Sequence, residues 1–323
     1  MIEGTVIKST GSWYQVLLDT PTAGETSVLP CRVAGKFRLD DLHLTNPIAV
    51  GDRVSVELED NDEETGAIRA IADRSNYVVR QSPRRKHDLH LIASNVDQAL
   101  LITTIIDPGV KLGFIDRFLL MTEPFSIPTI IVVNKADLYN EDERETYQVI
   151  HDLYSAIGYT VLLVSAVTGQ GIEELRELLR DKRTLLSGQS GVGKSTLVNA
   201  IEPGMELRTG ELSDYTGKGQ HTTTFAELFQ LSFGGELIDT PGIKTLSFNY
   251  LKPQDVAHNF REIFAVSEDC RFGGSCLHRT EPGCAVKESV EKGDDRVTDL
   301  RYYSYLGVLE EIEAQNYWER RKV

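Results

Sequence analysis

The stretch TLLSGQSGVGKSTLVNAI, residues 184–201, is the strongest indicator of the fold of this chain. It opens with an apolar run typical of a buried strand, continues with a loop rich in glycine, and ends in a pattern that favours a helix. That order predicts a P-loop, whose backbone N–H groups turn inward around a triphosphate. Lys194 would reach the terminal phosphates, and the Ser195 hydroxyl would ligate Mg²⁺. The candidate phosphate-binding residues are Gly188, Gln189, Ser190, Gly191, Val192, Gly193, Lys194, Ser195 and Thr196.

Apolar runs alternate with amphipathic stretches on both sides of this loop, starting near residue 95. This alternation predicts an α/β domain with a parallel sheet and helices on both faces. Ligands in such sheets bind beyond the carboxyl ends of the strands. The residues directly after each predicted strand are therefore the candidates for ligand binding.

Asn134-Lys135-Ala136-Asp137 comes after the predicted strand TIIVV, and Ser165-Ala166 ends the strand TVLLV. The carboxylate of Asp137 can accept two hydrogen bonds from the N1–H and exocyclic amine of guanine, whereas adenine offers neither donor there. A backbone N–H of Ser165-Ala166 would face the guanine O6. These residues predict that the base is guanine and the ligand GTP.

Asp239-Thr-Pro-Gly242 closes another predicted strand, GELIDT. A P-loop protein needs an acidic residue near Mg²⁺ and a backbone N–H near the terminal phosphate, which favours Asp239 and Gly242 for these roles. Between the P-loop and Asp239 lies a glycine-rich stretch ending in His221-Thr222-Thr223-Thr224. Thr223 is our candidate for ligating Mg²⁺ and sensing the terminal phosphate, although the threonine triplet leaves the register open.

The order of these motifs is permuted, because Asn134 precedes Gly188 whereas ordinary GTPases begin with the P-loop. With NKAD, SA, GQSGVGKST, GQHTTT and DTPG in that order, the whole chain resembles the ribosome small subunit-dependent GTPase A family. The resemblance implies an N-terminal OB-fold, a circularly permuted GTPase domain and a C-terminal helical zinc domain. It also implies a GTP hydrolase that binds the small ribosomal subunit and its rRNA, assists late maturation, and leaves on hydrolysis.

Many GTPases orient the attacking water with a glutamine directly after Asp-x-x-Gly, but this chain has Ile243 there. Imidazole can accept a hydrogen bond from water near neutral pH, so His221 is a candidate for the missing group. The family resemblance also implies a catalytic role for this histidine. We expect slow intrinsic turnover that a partner stimulates.

Residues 1–74 read as five short strands separated by turn residues. The strands are expected at Thr5–Lys8, Trp13–Leu18, Ser27–Arg32, Asp52–Glu59 and Ala67–Ala72. Five strands at this spacing predict a small barrel, of the OB type or, as the main rival, of the SH3-like type.

Cys270, Cys276, His278 and Cys284 supply the four donors of a closed tetrahedral zinc site. A structural zinc ion is expected, with buried free cysteines or a redox pair as the alternatives. The family pattern has four residues between the first two cysteines, whereas this chain has five, so the spacing supports Cys270 least.

The net charge of -15 argues against a protein that wraps nucleic acid. Predicted domains at 1–74, 75–248 and 249–323 all carry more acidic than basic residues. Any RNA contact would use local clusters, which lie at Arg32, Lys36 and Arg38, at Arg80, Arg84, Arg85 and Lys86 of a predicted linker, and at residues 320–322.

The sequence shows no leader and no apolar run long enough for a membrane span, so a cytoplasmic location is expected. A monomer is expected as well. Two other functions stay open from the residues alone. One is a GTP-gated RNA-binding regulator in which hydrolysis is incidental. The other is a P-loop kinase, which the Asn-Lys-x-Asp motif disfavours.

Overall fold

The structure is a computed structural model that describes residues 1–22, 26–34, 44–59, 64–81, 88–205, 226–240, 246, 248 and 250–320, with side chains up to residue 314. The first five strands are β1 (Ile2–Ser9), β2 (Tyr14–Leu18), β3 (Val28–Val33), β4 (Arg53–Leu58) and β5 (Gly66–Ile71). They close in the order β1-β2-β3-β5-β4-β1, with β3 and β5 parallel. This is the strand order of an OB-fold, which confirms the barrel and excludes the SH3-like alternative.

Alternation of side chains builds the barrel interior. In β2, Tyr14, Val16 and Leu18 are buried while Gln15 is exposed, as expected for a strand with one covered face. The inward residues meet Leu29, Val54 and Ile68 from other strands, each at most 1% exposed.

Two antiparallel strands occupy described parts of the predicted linker. They are β6 (Tyr77–Gln81) and β7 (Leu89–Ser94), and they pair only with each other among the named strands. Val79, Leu89 and Leu91 pack with Ala49 of the barrel region in a small apolar cluster. Burial of these apolar side chains stabilises the two strands. The sequence analysis missed them because basic residues lie close by in the sequence.

The central domain alternates strands and helices as predicted. Its elements are β8 (Gln98–Thr103), α1 (Leu112–Thr122), β9 (Thr129–Val133), α2 (Glu141–Ala156), β10 (Thr160–Leu163), α3 (Ile172–Leu179), β11 (Arg183–Gly188), α4 (Lys194–Ile201), β12 (Glu227–Gln230) and β13 (Glu236–Asp239). The strand order is β10-β9-β8-β11-β13-β12, in which all pairs are parallel except β13–β12. Every residue of β8 and β9 is buried, because helices cover both faces of the sheet.

The permutation changes the order of the strands along the chain but not their order in the sheet, compared with an ordinary P-loop GTPase. Numbering the strands from β11, as an ordinary P-loop GTPase would, turns the spatial order into 2-3-1-4-5-6. The phosphate-loop strand β11 therefore lies at the centre, between β8 and β13, although β8–β10 precede it in the chain.

The C-terminal part is helical, with α5 (Pro253–His258), α6 (Arg261–Ser267), α7 (Ala285–Lys292) and α8 (Asp299–Arg320). Phe260, Tyr305 and Leu309 share one apolar core with Leu101, Phe118 and other residues of the central domain. The C-terminal helices thus contact α1 and belong to the core that α1 forms with the central sheet. Among the described helices, none has the length and apolar character needed to cross a bilayer.

Candidate nucleotide site and metal cluster

The predicted phosphate loop connects β11 to α4, and glycine is required at two of its positions. A Cβ on Gly188 would lie 2.5 Å from the Ile102 carbonyl oxygen of β8. Gly193 has φ +86°, and a Cβ there would lie 2.6 Å from the Asn134 side-chain nitrogen. Because both distances are well below a carbon contact, larger residues would push the loop away from β8 and from residue 134.

Lys194 is the first residue of α4 and folds back over the loop. Its ammonium donates hydrogen bonds to the carbonyl oxygens of Gly188 at 2.8 Å and Gln189 at 3.1 Å. Burial lowers the pKa of Lys194, and the nearby Asp239 opposes that change. The ammonium is therefore held against the backbone of the phosphate loop.

Asp239 lies at the carboxyl end of β13, beside β11. Burial raises its pKa to about 6, Lys194 opposes that rise and Glu227 adds to it. The next residue, Thr240, fixes the end of the strand by donating its hydroxyl to the Leu186 carbonyl oxygen at 3.1 Å. The structure thus brings a half-buried carboxylate to the same sheet edge as the phosphate loop.

Asn134 joins three of the predicted segments through one buried side chain. Its amide nitrogen donates to the Val192 carbonyl oxygen of the phosphate loop at 3.0 Å. Its amide oxygen accepts from the backbone N–H of Ala166 at 3.3 Å. The side chain contacts both partners because β9, β10 and β11 end at one edge of the sheet.

The other predicted base-pocket residues lie beside Asn134. The carboxylate of Asp137 is exposed and accepts a hydrogen bond from the Ser165 hydroxyl at 2.5 Å. Lys135 adopts a left-handed backbone conformation, φ +69°, and its ammonium donates to the Asp107 carbonyl oxygen at 2.5 Å. An exposed carboxylate held by a buried serine is available to a ligand that offers two donors.

An open cleft of about 530 Å³ adjoins the phosphate loop and involves residues that the motifs did not indicate. It is lined by Gln189 and Ser190 together with Pro108, Gly109, Val110 and Lys111 of the β8–α1 connection. The topology could have indicated these residues, because β8 ends beside β11 at the edge of the sheet where ligands bind.

His221, Thr223 and Gly242 lie outside the described residues, as do Lys36, Arg38, Arg84, Arg85 and Lys86.

Cys270, Cys276, His278 and Cys284 form a buried cluster whose ligand atoms all lie within 4.8 Å of one another. The Nδ1 atom of His278 is 3.6 Å from the Cys270 sulfur and 3.5 Å from the Cys284 sulfur. The Nε2 atom is buried and, among the described residues, has no hydrogen-bond partner. This cluster could hold a metal ion.

The extra residue between Cys270 and Cys276 is taken up by consecutive tight turns. The Gly273 N–H donates to the Cys270 carbonyl oxygen at 2.9 Å, and the Cys276 N–H donates to the Gly273 carbonyl oxygen at 3.0 Å. Gly273 has φ +49°, a conformation that glycine adopts readily. The longer spacing therefore still brings Cys270 into the cluster.

Burial sets the protonation of the cluster when no metal is bound. It raises the pKa of Cys284 to about 12, raises the pKa of Cys276, and lowers the pKa of His278. Cys276 and Cys284 would be neutral thiols, and the histidine would keep a free lone pair. A bound cation would favour the thiolates and release protons.

Family models match most of the chain. A model described as RsgA GTPase matches residues 71–249, and one described as RsgA N-terminal domain matches residues 3–68. The chain belongs to the RsgA GTPase family. Two relatives are each 46% identical to this chain. One is named small ribosomal subunit biogenesis GTPase RsgA 2, from Bacteroides thetaiotaomicron, and the other small ribosomal subunit biogenesis GTPase RsgA, from Flavobacterium psychrophilum. The alignments cover 98% and 95% of this chain and 99% and 92% of those proteins.

Solved structures of the family have the same fold. The crystal structure of YjeQ from Thermotoga maritima matches with a TM-score of 0.75 and 34% identity, over 96% of this chain and 98% of that one. The structure of YloQ, titled a circularly permuted GTPase, matches with a TM-score of 0.70 and 33% identity, over 98% and 96%. The circularly permuted GTPase fold of this chain is thus confirmed.

Proposed function

We propose that this protein is a Mg²⁺-dependent GTP hydrolase that binds the small ribosomal subunit and assists its late maturation. The subunit would stimulate hydrolysis, and hydrolysis would release the protein. The observation that carries this proposal is the 46% identity, over 98% of the chain, to a relative named small ribosomal subunit biogenesis GTPase. The family-model matches at 3–68 and 71–249 support a division into domains 1–74, 75–248 and 249–323.

The base pocket would be formed by Asn134, Lys135, Ala136 and Asp137 with Ser165 and Ala166. Asp137 would accept hydrogen bonds from guanine N1–H and the exocyclic amine, and a backbone N–H of Ser165-Ala166 would donate to O6. Asn134 would act mainly by holding these segments to the phosphate loop, since its side chain already bonds Val192 and Ala166.

The triphosphate would lie against residues 188–196. On binding, Lys194 would exchange its hydrogen bonds to Gly188 and Gln189 for phosphate oxygens. Ser195 and Thr223 would ligate Mg²⁺, with Asp239 beside the ion and the Gly242 N–H at the terminal phosphate. His221 would orient the attacking water, because Ile243 has no donor or acceptor in its side chain.

The cysteine and histidine cluster would hold one structural Zn²⁺. Around a tetrahedral zinc ion, with Zn–S near 2.3 Å and Zn–N near 2.0 Å, ligand atoms lie roughly 3.5 to 3.8 Å apart. The distances of 3.5 and 3.6 Å from His278 and of 4.0 Å between the Cys270 and Cys284 sulfurs are close to these values. Four protein ligands leave no place for a catalytic water, which supports a structural role.

Contact with rRNA would use small basic clusters, since the chain carries a net charge of -15. The exposed Arg32 lies 4.9 Å from the ring centre of the half-exposed Trp13 on the barrel surface, which offers an aromatic and cationic pair to nucleotides. Because such clusters would contact few phosphates, the affinity for rRNA should fall only modestly as the salt concentration rises. We expect a monomer that acts in the cytoplasm, where small subunits mature.

GTP turnover with and without purified small ribosomal subunits tests this function. We expect slow basal turnover and a rise of at least an order of magnitude with subunits, because an ordered switch completes the site. A Lys194→Ala variant, which lacks the phosphate-binding ammonium, serves as the inactive control. Basal turnover that subunits leave unchanged would instead favour the GTP-gated RNA-binding regulator.

The His221→Ala variant tests the proposed catalytic residue separately. It should bind GTP with unchanged affinity and lose the stimulated turnover, since imidazole is proposed to orient water and not to hold the nucleotide. Single-turnover rates equal to those of the unmodified protein would remove His221 from the mechanism.

A further inference from the structure

Strand β1 belongs to the barrel and also extends the sheet of the GTPase domain. From Ile2 to Thr5 one of its edges pairs with β4 and closes the barrel. Further along, at Lys8, it pairs with Glu227 of β12. A β-bulge between Val6 and Lys8 shifts the register against β2 at this point. Bulges change the direction of a strand, and this one lies where β1 changes its partner.

Three charged residues lie in one row across this junction. Lys8 is the register partner of Glu227, and Glu227 is in turn the register partner of Asp239 on β13. Directly opposed residues in a sheet project from the same face, so the three side chains are neighbours. The Lys8 ammonium is 2.9 Å from a Glu227 carboxylate oxygen, and the two side chains are only 22% and 28% exposed.

This row contains a repulsive pair. Like charges directly opposed on neighbouring strands destabilise a sheet. Glu227 faces Asp239, which is the carboxylate proposed to lie beside Mg²⁺. Lys8 supplies the opposite charge and attaches β12, an edge strand of the GTPase sheet, to the barrel.

We infer that Lys8 of the barrel is a positioning residue for GTP hydrolysis, which holds Glu227 and thereby keeps β12 in place beside Asp239. The inference rests on the proposed function, because it takes Asp239 to be part of the phosphate site. It connects the barrel to the proposed phosphate site through the ion pair of Lys8 with Glu227.

Basal GTP turnover of Lys8→Ala, measured without ribosomal subunits, tests the inference. We expect kcat to fall about five-fold, because Glu227 then faces Asp239 with no compensating cation. The Mg²⁺ concentration for half-maximal activity should rise, while KM for GTP at saturating Mg²⁺ stays within about two-fold. Lys8→Arg should retain activity, since it keeps the charge.

A double variant distinguishes this role from general damage to the barrel. Lys8→Ala combined with Glu227→Gln should regain most of the lost kcat, because the charge that Lys8 compensates is then absent. Arg69→Ala is the matched control. It breaks an ion pair within the barrel, the 2.6 Å contact of Arg69 with Glu57, and should leave basal turnover unchanged.

The outcomes separate the two proposals. If the unmodified protein hydrolyses GTP and Lys8→Ala does so equally well, the positioning role is wrong and the proposed function stands. If the double variant is as slow as Lys8→Ala, the repulsion argument is wrong. If the unmodified protein hydrolyses no GTP, the proposed function and this inference both fail.

Discussion

At the scale of single residues, the nucleotide site depends on side chains that hold loops together as well as on those that face the ligand. Asn134 is buried and bonds two other segments, whereas Asp137, three residues later, is exposed. One short motif therefore contains a structural residue and a ligand-binding residue. Substitutions at the two positions should have different consequences.

Asp137→Asn should change the base that the protein accepts. The amide keeps an oxygen that can accept from the Ser165 hydroxyl, so the local geometry should survive. It also offers a donor where guanine presents donors, which should weaken GTP binding by roughly 100-fold or more and favour xanthosine triphosphate. Nucleotide titrations of the variant check this, with Asp142→Asn on α2 as an exposed control. GTP affinity equal to that of the unmodified protein would exclude Asp137 from the base pocket.

Asp239→Asn should stabilise the nucleotide-free protein above neutral pH. Burial raises the pKa of Asp239 to about 6, from an ordinary value near 3.9, so ionisation costs the folded state. Between these two values the folded state binds more protons than the unfolded state, and this contribution to stability falls as pH rises. The variant should gain about 2 to 3 kcal/mol at pH 7.5 and less at pH 5.

Urea unfolding without nucleotide at both pH values measures this gain. The exposed Asp295→Asn variant is the control and should show no comparable difference. A gain for Asp239→Asn that is the same at pH 5 and pH 7.5 would contradict the prediction.

At the scale of elements, α8 connects the GTPase domain to the metal cluster. Near its start, the buried Arg301 donates hydrogen bonds to Asp116 of α1 at 2.5 Å and to Glu262 of α6 at 2.7 Å. In the same part of the helix, Tyr302 and Tyr305 donate their hydroxyls to the carbonyl oxygens of His278 and Leu277. The helix thus bonds both α1 and the loop that carries a candidate metal ligand.

Arg301→Ala should lower the free energy of unfolding by about 3 to 5 kcal/mol, because it leaves two buried carboxylates without a cation. Arg296→Ala is the matched control. Its pairs with Asp294 and Asp269 are at the surface, where water screens them, so their loss should cost much less. Equal losses in the two variants would show that the buried network does not support the fold.

At the scale of the whole molecule, the parts are joined by a sheet and by a core. Strand β1 links the barrel to the GTPase sheet, and the helices after residue 250 share their core with α1 and β8. The contacts in this shared core are apolar. We therefore expect the GTPase domain and the C-terminal helices to unfold together.

Removal of metal tests this expectation. Chelation, or the Cys276→Ser substitution, should remove one zinc ion per chain and lower the melting temperature of a single transition by several degrees, because metal binding contributes to folding. Calorimetry measures the melting temperature, and parallel metal analysis measures the zinc content per chain. Cys31→Ser is the control, since Cys31 is buried in the barrel and lies far from the cluster in sequence. A separate early transition would show that the C-terminal helices fold independently.

Most local elements of this protein could be predicted from the order of its residues. Glycines at 188, 191 and 193 permit the turns of the phosphate loop. Alternation of apolar residues predicts the ends of the barrel strands to within one residue, except that β1 begins three residues earlier than expected, and apolar runs predict β8–β11. The NKAD, SA and cysteine motifs were also readable, because each depends on spacing within a short segment.

The meeting of distant segments, in contrast, is visible only in the folded molecule. The hydrogen bond of Asn134 spans 58 positions, and the ion pair of Arg301 with Asp116 spans 185. The junction at Lys8 requires one strand to serve both the barrel and the GTPase sheet. A local pattern indicates which face of a segment is buried. It does not indicate which distant segment packs on that face, because this depends on the order and register of the strands, and the packing of the whole chain determines both.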